Sequence, residues 1–71
     1  MSEEFRLDQV DEGSLYEIVS MDDEAVSRET GACVGMSVVV LKKALKSIVQ
    51  FGYSQMELEA DLLHLIRVQP V

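Results

Sequence analysis

Apolar positions along the chain come in short runs separated by polar or glycine-containing breaks, which is the spacing of small strands rather than of long helices. Leu7 and Val10, three apart, predict one turn packed on a core. Asp11-Glu-Gly-Ser14 is a turn signal. From Leu15 to Met21 the pattern alternates. Leu15, Val19 and Met21 share a face with Glu17, while Tyr16 and Ile18 point to the other, so a strand with both faces partly covered is expected. Asp22 or Asp23 is placed to cap a helix over about 23–30, with neighbouring acids at the positive end of its dipole and Gly31 as its stop. Only Ala25 and Val26 are apolar in that helix, which predicts a surface position.

Gly31-Ala-Cys-Val-Gly35 then leads into Val38-Val-Val-Leu41. Glycine adopts backbone angles that other residues avoid, so the pair marks a helix-to-strand corner. The β-branched run predicts the strongest strand, Val38 to Lys43, buried on at least one face. Residues 42–47 form a polar connection whose Lys and Leu content also permits a helical turn. Ile48 to Phe51 reads as a strand ended by Gly52, and Gln55 to Leu58 alternates as another. Beyond it, a helix over 58–66 competes with a short helical turn followed by a strand at 65–68. The β-branched Ile66-Arg-Val68 and the nearby Pro70 favour the second. Residues 1–5 are expected to fray. Five short strands with one or two helical turns make an all-β chain, best accommodated as a small, strongly bent antiparallel barrel that leaves few open edges.

Length supports that choice. Seventy-one residues form one domain, and 48% hydrophobic content is ample for a core. The single cysteine, Cys33, excludes an intrachain disulfide and fits a reducing compartment. No apolar stretch approaches the ~20 residues of a spanning helix, so no membrane insertion is expected. The acidic start, Met1-Ser-Glu-Glu, lacks the basic, apolar character of a secretion signal, which predicts a cytoplasmic protein.

Charge changes the picture further. The formal net charge is −7, from thirteen acids and six basic residues. Nucleic acid and anionic lipid are disfavoured as partners, because both are bound by neutralising phosphate with Lys and Arg. Ten of the acids lie within the first 29 residues, whereas Lys42, Lys43 and Lys46 occupy a stretch, 38–55, without any acid. That distribution reads as a solvated surface or as a bipolar molecule that orients against a charged partner.

Candidate chemistry is sparse. Cys33, His64 and the Asp22-Asp23-Glu24 cluster are the conceivable metal ligands, but no Cys-x-x-Cys, His-x-x-x-His or paired-histidine spacing is present. His64 reads as structural or solvent-facing, Cys33 as a small buried hydrophobe, and the acidic cluster as a helix cap. No nucleophile–base pair and no phosphate-binding loop is evident, so an enzyme is not expected. Metal ligands stay unassigned, and no cofactor is expected; ligand spacing does not support a bound metal ion.

The ordered set of motifs resembles the FeoA family, small cytoplasmic accessory proteins of bacterial ferrous-iron transport with an SH3-like β-barrel. Leu7-Asp-Gln-Val-Asp-Glu-Gly13-Ser-Leu-Tyr-Glu-Ile-Val19 is similar to the family's opening turn, glycine and Tyr-x-Ile strand. Gly31-x-x-x-Gly35-x-x-Val38-x-Val40 is similar to its Leu-Gly-x-x-Pro-Gly corner and following strand. Met56-Glu-Leu58, Leu62 and Ile66-Arg-Val68 resemble its closing segment. Thr30 stands where the family usually has Leu, and Val34 where it has Pro. The helix lacks the usual Arg and Leu residues, and Ala44-Leu-Lys-Ser47 replaces the family's Gly-Asp-Pro. The resemblance implies a non-catalytic adaptor that docks on the cytoplasmic, GTP-hydrolysing part of the FeoB-type membrane transporter. The alternative it leaves open is an iron-binding or metal-sensing module, either a carrier or the detached SH3-like regulatory domain of an iron-dependent repressor. A chain of this length favours transport.

For a protein partner the sequence offers Lys42, Lys43, Leu45 and Tyr53. Phe51 and Tyr53, beside Gly52, form with Leu45 a small apolar patch next to the lysines. A core position for Phe51 competes with this, which leaves Tyr53 as the better surface candidate.

Overall fold

In the computed structural model, which describes residues 3–71, the alternation of the strands sorts their side chains onto two faces of one sheet. Strand β2 (Leu15–Met21) pairs antiparallel with β3 (Ser37–Lys42), β3 with β4 (Lys46–Phe51), and β4 with β5 (Ser54–Glu59). The last strand, β6 (Ile66–Pro70), returns to the far side of β2 and also pairs with β1 (Phe5–Arg6). The sheet order is therefore β1-β6-β2-β3-β4-β5. Ile18, Val38, Val40, Val49, Phe51 and Val68 all point inward and are buried. Leu15, Val39, Ile48, Gln50 and Glu57 share the outer face, as the register requires for a side-chain period of two.

Two bulges bend the sheet around this core. One lies between Ile18 and Ser20 on β2, the other between Val40 and Lys42 on β3. An extra residue on one strand kinks it and increases its twist, which lets a six-stranded sheet coil. The turn at Leu7–Gln9 and helix α2 (Ala60–Leu63) pack against each other and bring Leu7 and Leu63 into the core. The result is the small SH3-like barrel with two short helices.

Helix α1 (Glu24–Thr30) forms as its caps require. Asp23 accepts a hydrogen bond from the Ala25 N–H at 2.9 Å, and Gly31, at φ 72°, donates its N–H to the Ser27 carbonyl at 2.8 Å. Most of α1 is exposed, but Val26 and Thr30 are buried. The Thr30 hydroxyl donates to the Val26 carbonyl at 2.7 Å and accepts from the Ala32 N–H at 3.1 Å, so it carries hydrogen bonding from the helix into the corner. The corner is then fastened to β2: Gly35, at φ 92°, donates to the Ile18 carbonyl at 2.8 Å, and Ile18 donates to Met36 at 3.0 Å.

Four expectations change. There are six strands rather than five, because Phe5 and Arg6 pair with Val68 and Arg67. Of the residues 1–5 expected to fray, residues 1 and 2 lie outside the described part, and Phe5 is held in the sheet and packed on the core. The connection at 42–47 makes no helical turn: β3 and β4 extend into it and leave a tight loop at 43–45. Cys33 is exposed rather than buried, since the corner turns its backbone toward β2 while Ala32 fills the core position.

Candidate functional site

The polar connection between β3 and β4 carries the most exposed leucine of the chain on a loop that is tied at three points. Lys43 donates its N–H to the Glu12 carboxylate at 2.6 Å, a bond reaching across from the turn before β2. Ser47 is buried; its hydroxyl donates to the Ala44 carbonyl at 3.2 Å and accepts the Ala44 N–H at 3.4 Å. The Leu45 carbonyl accepts the Ala60 N–H, at the start of α2, at 3.1 Å. These ties hold the main chain of the loop and leave the Leu45 side chain outside, 92% exposed. An apolar side chain in that position gains nothing from folding, yet the loop that presents it is ordered. That combination suits an anchor for a partner's pocket, because little ordering entropy is left to lose on binding.

Lys42, Lys43 and Lys46 surround this leucine and are exposed. Among the described residues no ion pair involves any of them, so their ammonium groups are available to an acidic partner. The lysines are not, however, the isolated basic patch that their acid-free stretch implies. Folding brings Glu12 to Lys43 and sets Glu59 directly opposite Lys46. Leu45, Lys46, Glu59, Ala60 and Asp61 together line an open cavity of about 290 Å³. The tip is thus a mixed-charge ring around one protruding apolar residue.

Tyr53 does not join it. Tyr53 lies in the two-residue turn between β4 and β5 and is fully exposed, but that turn stands at the opposite end of β4 from Leu45. Six strand residues span roughly 20 Å, a large share of the molecule's 32 Å long axis. Successive hairpins alternate ends of a sheet, so residues close in sequence across a whole strand are held apart. Phe51 is buried at 3% exposure and belongs to the core. The grouping of Phe51, Tyr53 and Leu45 into one patch is therefore replaced by Leu45 with the lysines at one end and Tyr53 alone at the other.

The outer face adds what the sequence reading missed. Leu15, at the start of β2, and Leu41, at the β3 bulge, are 50% and 40% exposed. Both lie toward the tip end of their strands, Leu15 opposite Val39 and Leu41 beside Lys42. The signal was present in the outward phase of the β2 and β3 alternation, but it acquires meaning only once the two strands pair.

The conceivable metal ligands stay apart. His64 is exposed after α2, and Cys33 is exposed in the corner. Asp23 caps α1, while Asp22 pairs with Arg67, its Oδ1 3.5 Å from Nε. Among the described residues no three His, Cys, Asp or Glu side chains converge on a point that suits a metal ion. No helix among them is long and apolar enough to cross a membrane.

The fold matches a crystal structure of the iron uptake regulatory protein FeoA, with a TM-score of 0.80 at 16% sequence identity, over 94% of this chain and 96% of that one. It also matches the solution structure of iron(II) transport protein A from Clostridium thermocellum, with a TM-score of 0.82 at 16% identity, over 94% of this chain and 46% of that chain. At this identity the likeness establishes the fold that the chain shares with both. No family model matches the sequence, and no curated protein does either.

Proposed function

We propose that this chain is a non-catalytic accessory protein of ferrous-iron transport, which acts in the cytoplasm by docking on the GTP-hydrolysing part of an FeoB-type membrane transporter. The observation that carries this reading is the agreement of the whole fold, end to end, with the iron uptake regulatory protein FeoA. Iron is the transporter's cargo, and nucleotide chemistry belongs to the partner. The chain supplies a binding surface, the β3–β4 tip, with Leu45 as the apolar anchor and Lys42 and Lys43 as the charges that meet acidic groups of the partner.

A binding assay against the transporter's isolated cytoplasmic domain tests this. Leu45→Ser and the double charge reversal Lys42→Glu/Lys43→Glu are each expected to weaken binding about tenfold or more, the range of an interface anchor. Tyr53→Ala, at the far end of β4, is expected to bind within about twofold of wild type, as a residue outside the anchor does. Normal binding by both tip variants would remove this docking surface.

A further inference from the structure

Strand β5 is an edge. Its six residues pair with β4 in an unbroken register and have no second strand partner among the described residues. The Ala60 N–H bond to the Leu45 carbonyl fixes the phase of that ladder. Bonded pairs alternate with non-bonded ones in an antiparallel pair. Leu58 and Met56 therefore bond inward to β4, and the main-chain groups of Gln55, Glu57 and Glu59 face the open side. Natural edges are blunted by bulges, prolines, lysines or shortness. Here β1 is only two residues long, but β5 is long, regular and free of proline. Its one safeguard is the acidic pair Glu57 and Glu59.

Beside this edge lies a groove of about 410 Å³, lined by Glu29 at the end of α1, by Glu57, Leu58 and Glu59, by Leu62 of α2 and by Lys46. Three carboxylates against one ammonium make it acidic, and Leu58 and Leu62 add an apolar part to its lining. A second copy of this chain pairing edge to edge would bring the Glu57 and Glu59 carboxylates against their own kind, which is repulsive. A strand with lysine or arginine at alternate positions meets the opposite situation. Its basic side chains fall on the outer face with Glu57 and Glu59, and the apolar residues between them fall inward over Leu58 and Leu62.

The geometry points to β5 as a strand-addition site for a basic, extended protein segment with alternating apolar residues. This surface adjoins the β3–β4 tip at Lys46 and Glu59, but the two docking assignments are tested on different groups, the Leu45, Lys42 and Lys43 side chains for the tip and the main chain of β5 for the edge, so each can fail alone. Strand addition draws affinity from main-chain hydrogen bonds and selectivity from alternate side chains, and each can be removed separately. The probe is a capped hexapeptide of sequence Lys-Val-Lys-Val-Lys-Val, titrated into the isotopically labelled chain and followed by NMR. The expected result is saturable shifts of the Ser54–Glu59 and Glu29 amides. The same peptide N-methylated at alternate backbone nitrogens loses its main-chain donors and is expected to bind at least about tenfold more weakly. Glu57→Gln/Glu59→Gln, which alters exposed positions only, is expected to weaken the unmethylated peptide severalfold. Equal binding of the two peptides, or shifts spread over the acidic residues 3–29 without preference for β5, would overturn the proposal. So would shifts of β5 that appear on raising protein concentration without peptide, since these assign the edge to a second copy.

Discussion

Thr30 ends helix α1 with a side chain that bonds in two directions, to the Val26 carbonyl behind it and from the Ala32 N–H ahead of it. Both contacts are buried, and the Ala32 N–H has no water to turn to. The residue that departs from the FeoA-like sequence pattern is thus accommodated by a polar link between helix and corner. Thr30→Val keeps the shape and removes the hydroxyl. It is expected to cost about 1–3 kcal/mol, the penalty of leaving a buried donor unpaired, read as a lower urea midpoint at unchanged m-value. This role was not legible in the sequence, where Thr30 stood only as an exception. The neighbouring glycines were legible, because their function is local. Gly31 and Gly35 both have positive φ, and nothing lies within 4 Å of where a Cβ would sit, so it is backbone conformation, not crowding, that calls for glycine at both.

At the scale of elements, strands with long alternation and the capped helix could be read directly. So could the closing segment, where Ile66-Arg-Val68 outweighed a helical spacing. Strand β1 could not: two residues carry no period, and Phe5 joins the sheet only because β6, more than sixty residues later, offers it a place beside Val68. The β3–β4 loop was equally opaque. It holds no glycine or proline, and its shape depends on Glu12, thirty-one positions away, and on a buried serine. Ser47→Ala tests that dependence. Losing the Ala44 bonds is expected to destabilise the chain by about 1 kcal/mol and to speed amide hydrogen exchange at residues 44–46 selectively, as a local opening. Uniform acceleration, or none, would mean that Ser47 does not shape the tip.

On the scale of the whole molecule, the chain is acidic overall but presents its lysines at one end of the sheet, interleaved with Glu12, Glu59 and Asp61. The bipolar distribution of the sequence survives folding only in part, because turns at the two ends of each strand mix segments that are remote in sequence. For the same reason the candidate site was half legible. Leu45, Lys42 and Lys43 were identified from their clustering in sequence and stay together because they lie within four residues of one hairpin tip, whereas Tyr53 lies a full strand away. The proposed docking of the β3–β4 tip on the cytoplasmic domain of an FeoB-type transporter is tested most directly by the footprint of that complex. Titrating the isotopically labelled chain with the unlabelled domain should broaden or shift the amides of Lys42–Lys46, together with Glu12 and Ala60, and leave Gly52 and Tyr53 unchanged. A footprint centred on Gly52–Tyr53, or no perturbation of the tip at saturating partner, would contradict it.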